Sequence, residues 1–153
     1  KDIKLDIVGA ITTEVKNKLL MIAGTDSSSW LSIIGECDFN STIKRIMSAE
    51  ILVLPSYTEG FPNVIIEGMA CGCAIVATSV GAIPEMLNIS SAEPCGLCVE
   101  PRDIKMLRST ILKLIENNQL VSYYSSNAKT RVHELYSMSS VWQKIVNIWI
   151  KYN

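Results

Sequence analysis

The chain has 153 residues, 48% of them hydrophobic and 19% charged, with a formal net charge of −1. This is the length of one ordinary domain, with enough apolar content for a packed core and too much for a disordered chain. A charge so near zero gives no reason to expect nucleic acid or an anionic membrane as partner, and no uninterrupted apolar stretch approaches the length of a membrane span.

In chain order, residues 1–6 alternate charged residues with Ile and Leu, a pattern unlike a secretory signal. Residues 5–10 (LDIVGA) form a strand candidate that ends near a glycine. Residues 13–23 place Val15, Leu19, Leu20 and Ile22 at helical spacing, and Gly24 ends the pattern. Residues 25–29 are a polar loop, and residues 31–35 (LSIIG) a second strand. Asn40 and Ser41 are candidate caps for a helix to Ser48 that turns Ile43, Ile46 and Met47 inward.

Residues 51–55 (ILVLP) read as a third, buried strand, and residues 63–71 as a nearly all-apolar helix. Residues 74–79 (AIVATS) are a fourth strand. Residues 81–85 form a turn into a short helix, with Pro84 suited to its first turn, and residues 96–100 a fifth strand. Three amphipathic helices follow, at 103–116, 120–135 and 140–151. On the last, Trp142 and Trp149 lie seven apart on one face. Core packing against the sheet is the ordinary reading of that stripe, and an exposed interaction surface the other.

Strands that alternate with helices and are solidly apolar predict a parallel sheet covered on both faces. Ligands in such folds bind beyond the carboxyl ends of the strands. The loop at 56–62 leaves the third strand there, carries Glu59, and enters a helix that carries Glu67, with seven residues between the two acids. Helix-start N–H groups favour anions, and paired acids suit vicinal hydroxyls, so a ligand with both phosphate and hydroxyls fits: a nucleotide sugar. Side chains on a helix lean toward its N-terminus, so Glu67 can reach back to the same crevice. Each acid also has a plain reading, Glu59 as a solvated loop acid and Glu67 as the one solvent-facing line of its helix. Gly60 permits close backbone approach to a ligand, and Phe61 either covers the core or packs on the ligand.

The five cysteines are an odd number in a chain with a good core, which argues for a reducing compartment rather than a disulfide framework. Cys71-Gly72-Cys73 and Cys95 to Cys98 could be half-sites for zinc, but adjacent strand residues point to opposite faces, so no metal ligand is assigned. His133, the only histidine, falls among surface-type residues. A receiver-type regulatory module would need a phosphorylatable aspartate after an apolar strand. None of Asp2, Asp6, Asp26, Asp38 and Asp103 has that setting.

The run ILVLPSYTEGFPNVIIEGMACGCAIVATSVGAIPEML resembles the signature of retaining glycosyltransferases of GT-B fold, family 4 or group 1. It has Pro55-Ser56, Glu59-Gly60-Phe61, Glu67 with Met69-Ala70-Cys71-Gly72, and Gly81 with Pro84-Glu85. Weaker similarity covers the rest of the chain. The resemblance implies a Rossmann-like three-layer α/β/α domain with a parallel sheet of about five strands. That is the C-terminal, donor-binding half of the fold, without its first strand and helix and without the N-terminal acceptor domain. It further implies that Glu59 contacts donor-sugar hydroxyls and is the catalytic position. The amides of Gly60, Phe61 and Asn63 would lie near the sugar and phosphates, Val64 and Ile65 would present amides to the diphosphate, and Glu67 would hold the ribose.

The implied partners are a UDP- or GDP-type nucleotide-diphospho-sugar and a glycan or lipid-linked acceptor, with no cofactor. The parent enzyme would be cytoplasmic, or peripheral at the inner face of the membrane, and the isolated chain weakly self-associating. The chain departs from the family in lacking the Arg and Lys that serve the diphosphate. No Lys or Arg occurs between Arg45 and Arg102, while six glutamates do.

Overall fold

The computed structural model describes residues 3–152, so Lys1 and Asp2 of the opening alternation lie outside the described residues. The chain divides after Arg45 into two compact units.

The first unit contains β1 (Leu5–Val8), α1 (Thr13–Ala23), a 3-10 turn (Thr25–Ser29) and β2 (Leu31–Gly35). β1 and β2 pair in parallel, Leu5 opposite Leu31 and Ile7 opposite Ile33. Thr12 caps α1 by accepting from the Val15 N–H, and Gly24 stops it with φ +83°. Arg45 donates to Asp6 at 2.8 Å. The polar segment after α1 is a 3-10 turn rather than an open loop, closed by Trp30 N–H donating to Ser27 O. The apolar residues predicted to face inward on α1 are not buried, and β1 is mostly exposed. α2 (Phe39–Ser48) follows. Its cap is Asp38, whose carboxylate accepts from the backbone and hydroxyl of Ser41, rather than Asn40 or Ser41. These bonds hold the Asp38 carboxyl below its ordinary value. Ile46 is buried, but Met47 is 68% exposed, because the turn from 46 to 47 carries it past the apolar face.

The second unit holds the core. β3 (Ile51–Leu54), β4 (Ala74–Thr78) and β5 (Gly96–Val99) form a parallel ladder with β4 in the middle. Every residue of β4 is buried. Ile75 and Ala77 pack with Ile65 and Met69 of α3 (Asn63–Cys71) and Ala128 of α6 (Asn118–Tyr136). Ala74 and Val76 pack with Leu114 of α5 (Ile104–Glu116) and with Tyr124 of α6. Alternate residues of one strand thus serve two apolar layers, which is why the run AIVAT is apolar without interruption. α4 (Ile83–Met86) is short, with Pro84 in its first turn as predicted, and α7 (Met138–Tyr152) ends the chain.

Two expectations are corrected. The five parallel strands form two ladders, β1–β2 and β3–β4–β5, rather than one sheet. Each ladder lies within one of the two compact units into which the chain divides. The second concerns α7. Trp142 and Trp149 are 63% and 68% exposed, so the stripe is not core packing.

Core and surface positions should separate cleanly in denaturant unfolding. Ile75→Ala removes a fully buried side chain between α3 and α6 and should cost about 2–5 kcal/mol. Met47→Ala should stay within about 0.5 kcal/mol of the parent.

Candidate functional site

The site is built where β3 ends and α3 begins. α3 lies close to the ladder because Gly68 faces Leu52; a Cβ there would come within 2.5 Å of the Leu52 side chain. Its C-terminal end is fixed by Ser125 of α6, whose hydroxyl donates to Gly72 O at 2.6 Å. Both contacts anchor the C-terminal half of α3, from which the helix runs back to its start after the 56–62 loop.

Pro62 is the N-cap of α3 and supplies no side-chain cap. The Ile65 N–H donates to Pro62 O at 3.1 Å, so that amide is occupied by the first turn and does not face a crevice. The N–H groups of Asn63 and Val64 have no acceptor among the described residues. These are the anion-seeking groups that every helix start leaves over.

The loop at 56–62 is fixed residue by residue. The Ser56 hydroxyl donates to Glu59 Oε1 at 2.6 Å, which sets the direction of that carboxylate. Ser56 O in turn accepts from the Thr78 hydroxyl at the end of β4. Gly60 O accepts from Ala82 N–H at 2.9 Å. Phe61 is 51% exposed and meets the ring of Tyr136 edge-on, with centroids 6.0 Å apart. Tyr57 lies under the guanidinium of Arg102, 5.4 Å from ring centroid to Cζ.

The turn at 81–85 backs this loop. Gly81 has φ +55°, and a Cβ on it would come within 2.2 Å of Glu59 O and 2.7 Å of Gly60 O. Only a residue without a side chain lets the two backbones approach this closely. Arg131 of α6 supports the same element by donating to Glu85 O at 2.7 Å and Met86 O at 2.8 Å. The following segment, 88–94, is closed on itself. Asn88 has φ +55°, its amide donates to Glu93 O, and Glu93 N–H donates to the Ser91 hydroxyl.

Glu59 and Glu67 are both half-buried, and neither has an ion pair among the described residues. The printed ion pairs, Lys18 with Glu14 and Arg45 with Asp6, lie in the first unit. A cleft of about 70 Å³ opens beside the ends of β3, β4 and β5, lined by Pro55, Tyr57, Thr78, Val99, Arg102 and Leu107 among others. Tyr57 borders it, whereas Glu59 and Glu67 do not.

The five cysteines are free, Cys73 and Cys95 buried and the others half-buried. Burial pushes the Cys73 and Cys98 thiols up to about 11, with the nearby Cys71 and Glu100 respectively adding to the effect. Burial is also the main cause of the rise at Cys71, where Glu67 adds to it. Thiols held protonated in this way are poor metal ligands and poor nucleophiles. No group of His, Cys, Asp and Glu among the described residues could hold a metal ion. His133 is exposed. No helix among the described residues is long and apolar enough to cross a membrane.

Several parts of the site had no assigned role in the sequence. Ser56 was visible only as half of Pro-Ser, and nothing marked its hydroxyl as the partner of Glu59. Thr78, Tyr136 and Arg102 come from distant elements. Gly81 did carry a signal, a glycine three residues before a proline at a turn.

The contact between the 81–85 turn and the loop gives a direct test. Gly81→Ala places a methyl group against two carbonyl oxygens at positive φ and should destabilise the protein by at least about 2 kcal/mol. Gly60→Ala meets nothing within 4 Å and should cost under about 1 kcal/mol. Equal losses by chemical denaturation would refute this packing.

Comparison with known proteins fits the geometry. A family model described as "Glycosyl transferases group 1" matches residues 1–117. An uncharacterized glycosyltransferase of Methanocaldococcus jannaschii is 32% identical over 118 residues, which is 77% of this chain and 31% of that protein. The MMP alpha-(1->4)-mannosyltransferase of Mycolicibacterium hassiacum is 31% identical over 106 residues, 69% of this chain and 25% of that protein. The chain thus spans a third or less of the length of these relatives. Among solved structures, Anabaena HepE in complex with UDP superposes with a TM-score of 0.80 at 20% identity, over 97% of this chain and 41% of that one. Its fold is that of the C-terminal half of a GT-B enzyme, and the chain belongs to the group 1 glycosyltransferases.

Proposed function

We propose that this chain is the donor-binding part of a retaining glycosyltransferase that moves a hexose-type sugar from a nucleoside diphosphate, UDP or GDP, to a glycan or lipid-linked acceptor. The observation that carries the reading is the Ser56–Glu59 pair. A carboxylate is aimed by a 2.6 Å hydrogen bond, on a loop that runs directly into a helix start with two unused amides. Glu59 takes the hydroxyls of the donor sugar and is the catalytic position. The backbone of Gly60, Phe61 and Asn63 lines the sugar and phosphates, the Val64 amide meets the diphosphate, and Glu67 accepts from the ribose hydroxyls. The mannosyltransferase relative and the UDP complex of HepE support this class of donor by likeness.

In the reaction, the bond between the anomeric carbon and the diphosphate breaks. Positive charge develops on the sugar ring and negative charge on the departing phosphate. Preorganised N–H groups stabilise the second, and Glu59 contributes by orientation. The helix start supplies only about half a unit of positive charge, worth about 1 kcal/mol or less when exposed. Between Arg45 and Arg102 the chain offers no Lys or Arg, so cations from outside this segment complete the diphosphate site. The acceptor is bound by an N-terminal domain, and the 153 residues alone are inactive. The reading places the enzyme in the cytoplasm or at the inner face of the membrane.

Glu59→Ala and Glu67→Ala, made in the full-length enzyme, should each lower turnover at least tenfold, about 1.4 kcal/mol in barrier. Wild-type rates from both variants would remove the assignment.

The face of α7 formed by Trp142, Ile145, Ile148 and Trp149 is open in the chain by itself, and a patch of this kind drives association. Sedimentation velocity should show weak, concentration-dependent self-association of the 153-residue chain that is reduced by Trp142→Ser. A clean monomer at high concentration would contradict it.

A further inference from the structure

We propose that Arg102 is a positioning residue for the Glu59 loop, clamping Tyr57 from the turn between β5 and α5. The inference rests on the donor-site reading above. Arg102 has φ +70°, one of two non-glycine residues with positive φ among those described. A left-handed backbone at a turn normally selects glycine or asparagine, so a long side chain here is held at a conformational cost. The turn that imposes this backbone is tight. Asp103 N–H donates to Glu100 O at 3.1 Å and Ile104 N–H to Arg102 O at 3.0 Å, and Asp103 then caps α5 by accepting from Met106 N–H.

The side chain does something a glycine could not. Its guanidinium lies 5.4 Å from the Tyr57 ring centroid. Two carboxylates, Glu100 and Asp103, flank it in sequence and border the same cleft, yet Arg102 forms no ion pair with either among the described residues. A cation over an aromatic face is attracted by the ring quadrupole, and here the pair is at the surface, Tyr57 being 67% exposed. Tyr57 follows Ser56, the residue whose hydroxyl aims Glu59. Thr78 holds the Ser56 carbonyl, the 81–85 turn holds Gly60 and Tyr136 meets Phe61. Arg102 adds to these a contact at Tyr57, the residue next to Ser56. The clamp therefore acts beside Ser56, and through Ser56 on the carboxylate direction of Glu59.

The test compares Arg102→Gly, Arg102→Lys and the parent chain by amide hydrogen exchange and thermal unfolding. Calorimetric titration with UDP and with GDP is run in parallel. Glycine relieves the left-handed backbone while removing the cation, so Arg102→Gly should match or exceed the parent in thermal stability. Its amides at 57–61 should nevertheless exchange about two- to fivefold faster, with β4 unchanged. Arg102→Lys keeps a cation over the ring and should restore most of the protection. Tyr57→Leu, which removes the aromatic face, should reproduce the Arg102→Gly exchange pattern, and the two changes together should add nothing.

Parent-like exchange in Arg102→Gly overturns the clamp. So does loss of protection that spreads to β4 with a fall in stability, which would mark general structural support. If the loop responds as stated while the full-length parent enzyme, titrated in the same way, binds neither nucleotide, the clamp stands and the donor reading falls. If the parent binds a nucleotide, weaker binding by Arg102→Gly with rescue by Arg102→Lys supports the positioning role, and equal binding by all three overturns it.

Discussion

The close approach of two backbones, Gly81–Ala82 against Glu59–Gly60, is the constraint on which the site depends. One hydrogen bond from Ala82 N–H to Gly60 O and one missing side chain at Gly81 hold a seven-residue loop against the start of α4. α4 in turn is fixed by Arg131 of α6, and α6 packs on α3 through Ala128 and Ser125. The loop that carries Glu59 and the helix that carries Glu67 are thus tied to one another through two other elements, α4 and α6, as well as by chain continuity. Catalytic groups on loops work only when the loop is held to within a fraction of an ångström. Here main-chain contacts at Gly60 and Gly81 are joined by side chains of Thr78, Arg102 and Tyr136.

Burial is divided unevenly. β4 is buried throughout and feeds an apolar layer on each face, whereas the first unit has no buried hydrophobic residue among those described before Ile46. Several apolar residues on β1 and α1, predicted to be covered, are exposed, from 39% at Val8 to 79% at Ile22. The same holds for α7. Sequence patterning of this kind records burial in the complete protein, and the chain spans only a third or less of its relatives. Exposed apolar faces follow naturally when only part of a larger fold is present.

Charge tells a similar story. On the proposed reading, the acids that would take hydroxyls are here, and so are the helix-start amides, but no cation for a diphosphate lies between Arg45 and Arg102. The one arginine that reaches the loop, Arg102, lies over a ring. The electrostatic half of the chemistry is therefore divided between this segment and residues outside it.

Local patterns in the sequence were sufficient for most elements. Thr13–Ala23, Leu31–Gly35 and Asn63–Cys71 were read with the bounds observed, because hydrophobic period and a glycine stop act over a few residues. The strand–loop–helix setting of Glu59 and Glu67 was legible for the same reason, as was the turn at Pro84. Tertiary structure decided the rest. Asp38 displaced Asn40 and Ser41 as cap, Met47 and the tryptophans of α7 turned outward, and the strands paired in two ladders. The partners that fix the loop, Thr78, Ala82, Arg102 and Tyr136, lie at least about twenty residues from the groups they hold. No local period encodes such pairings, since they exist only once separate strands and helices have packed.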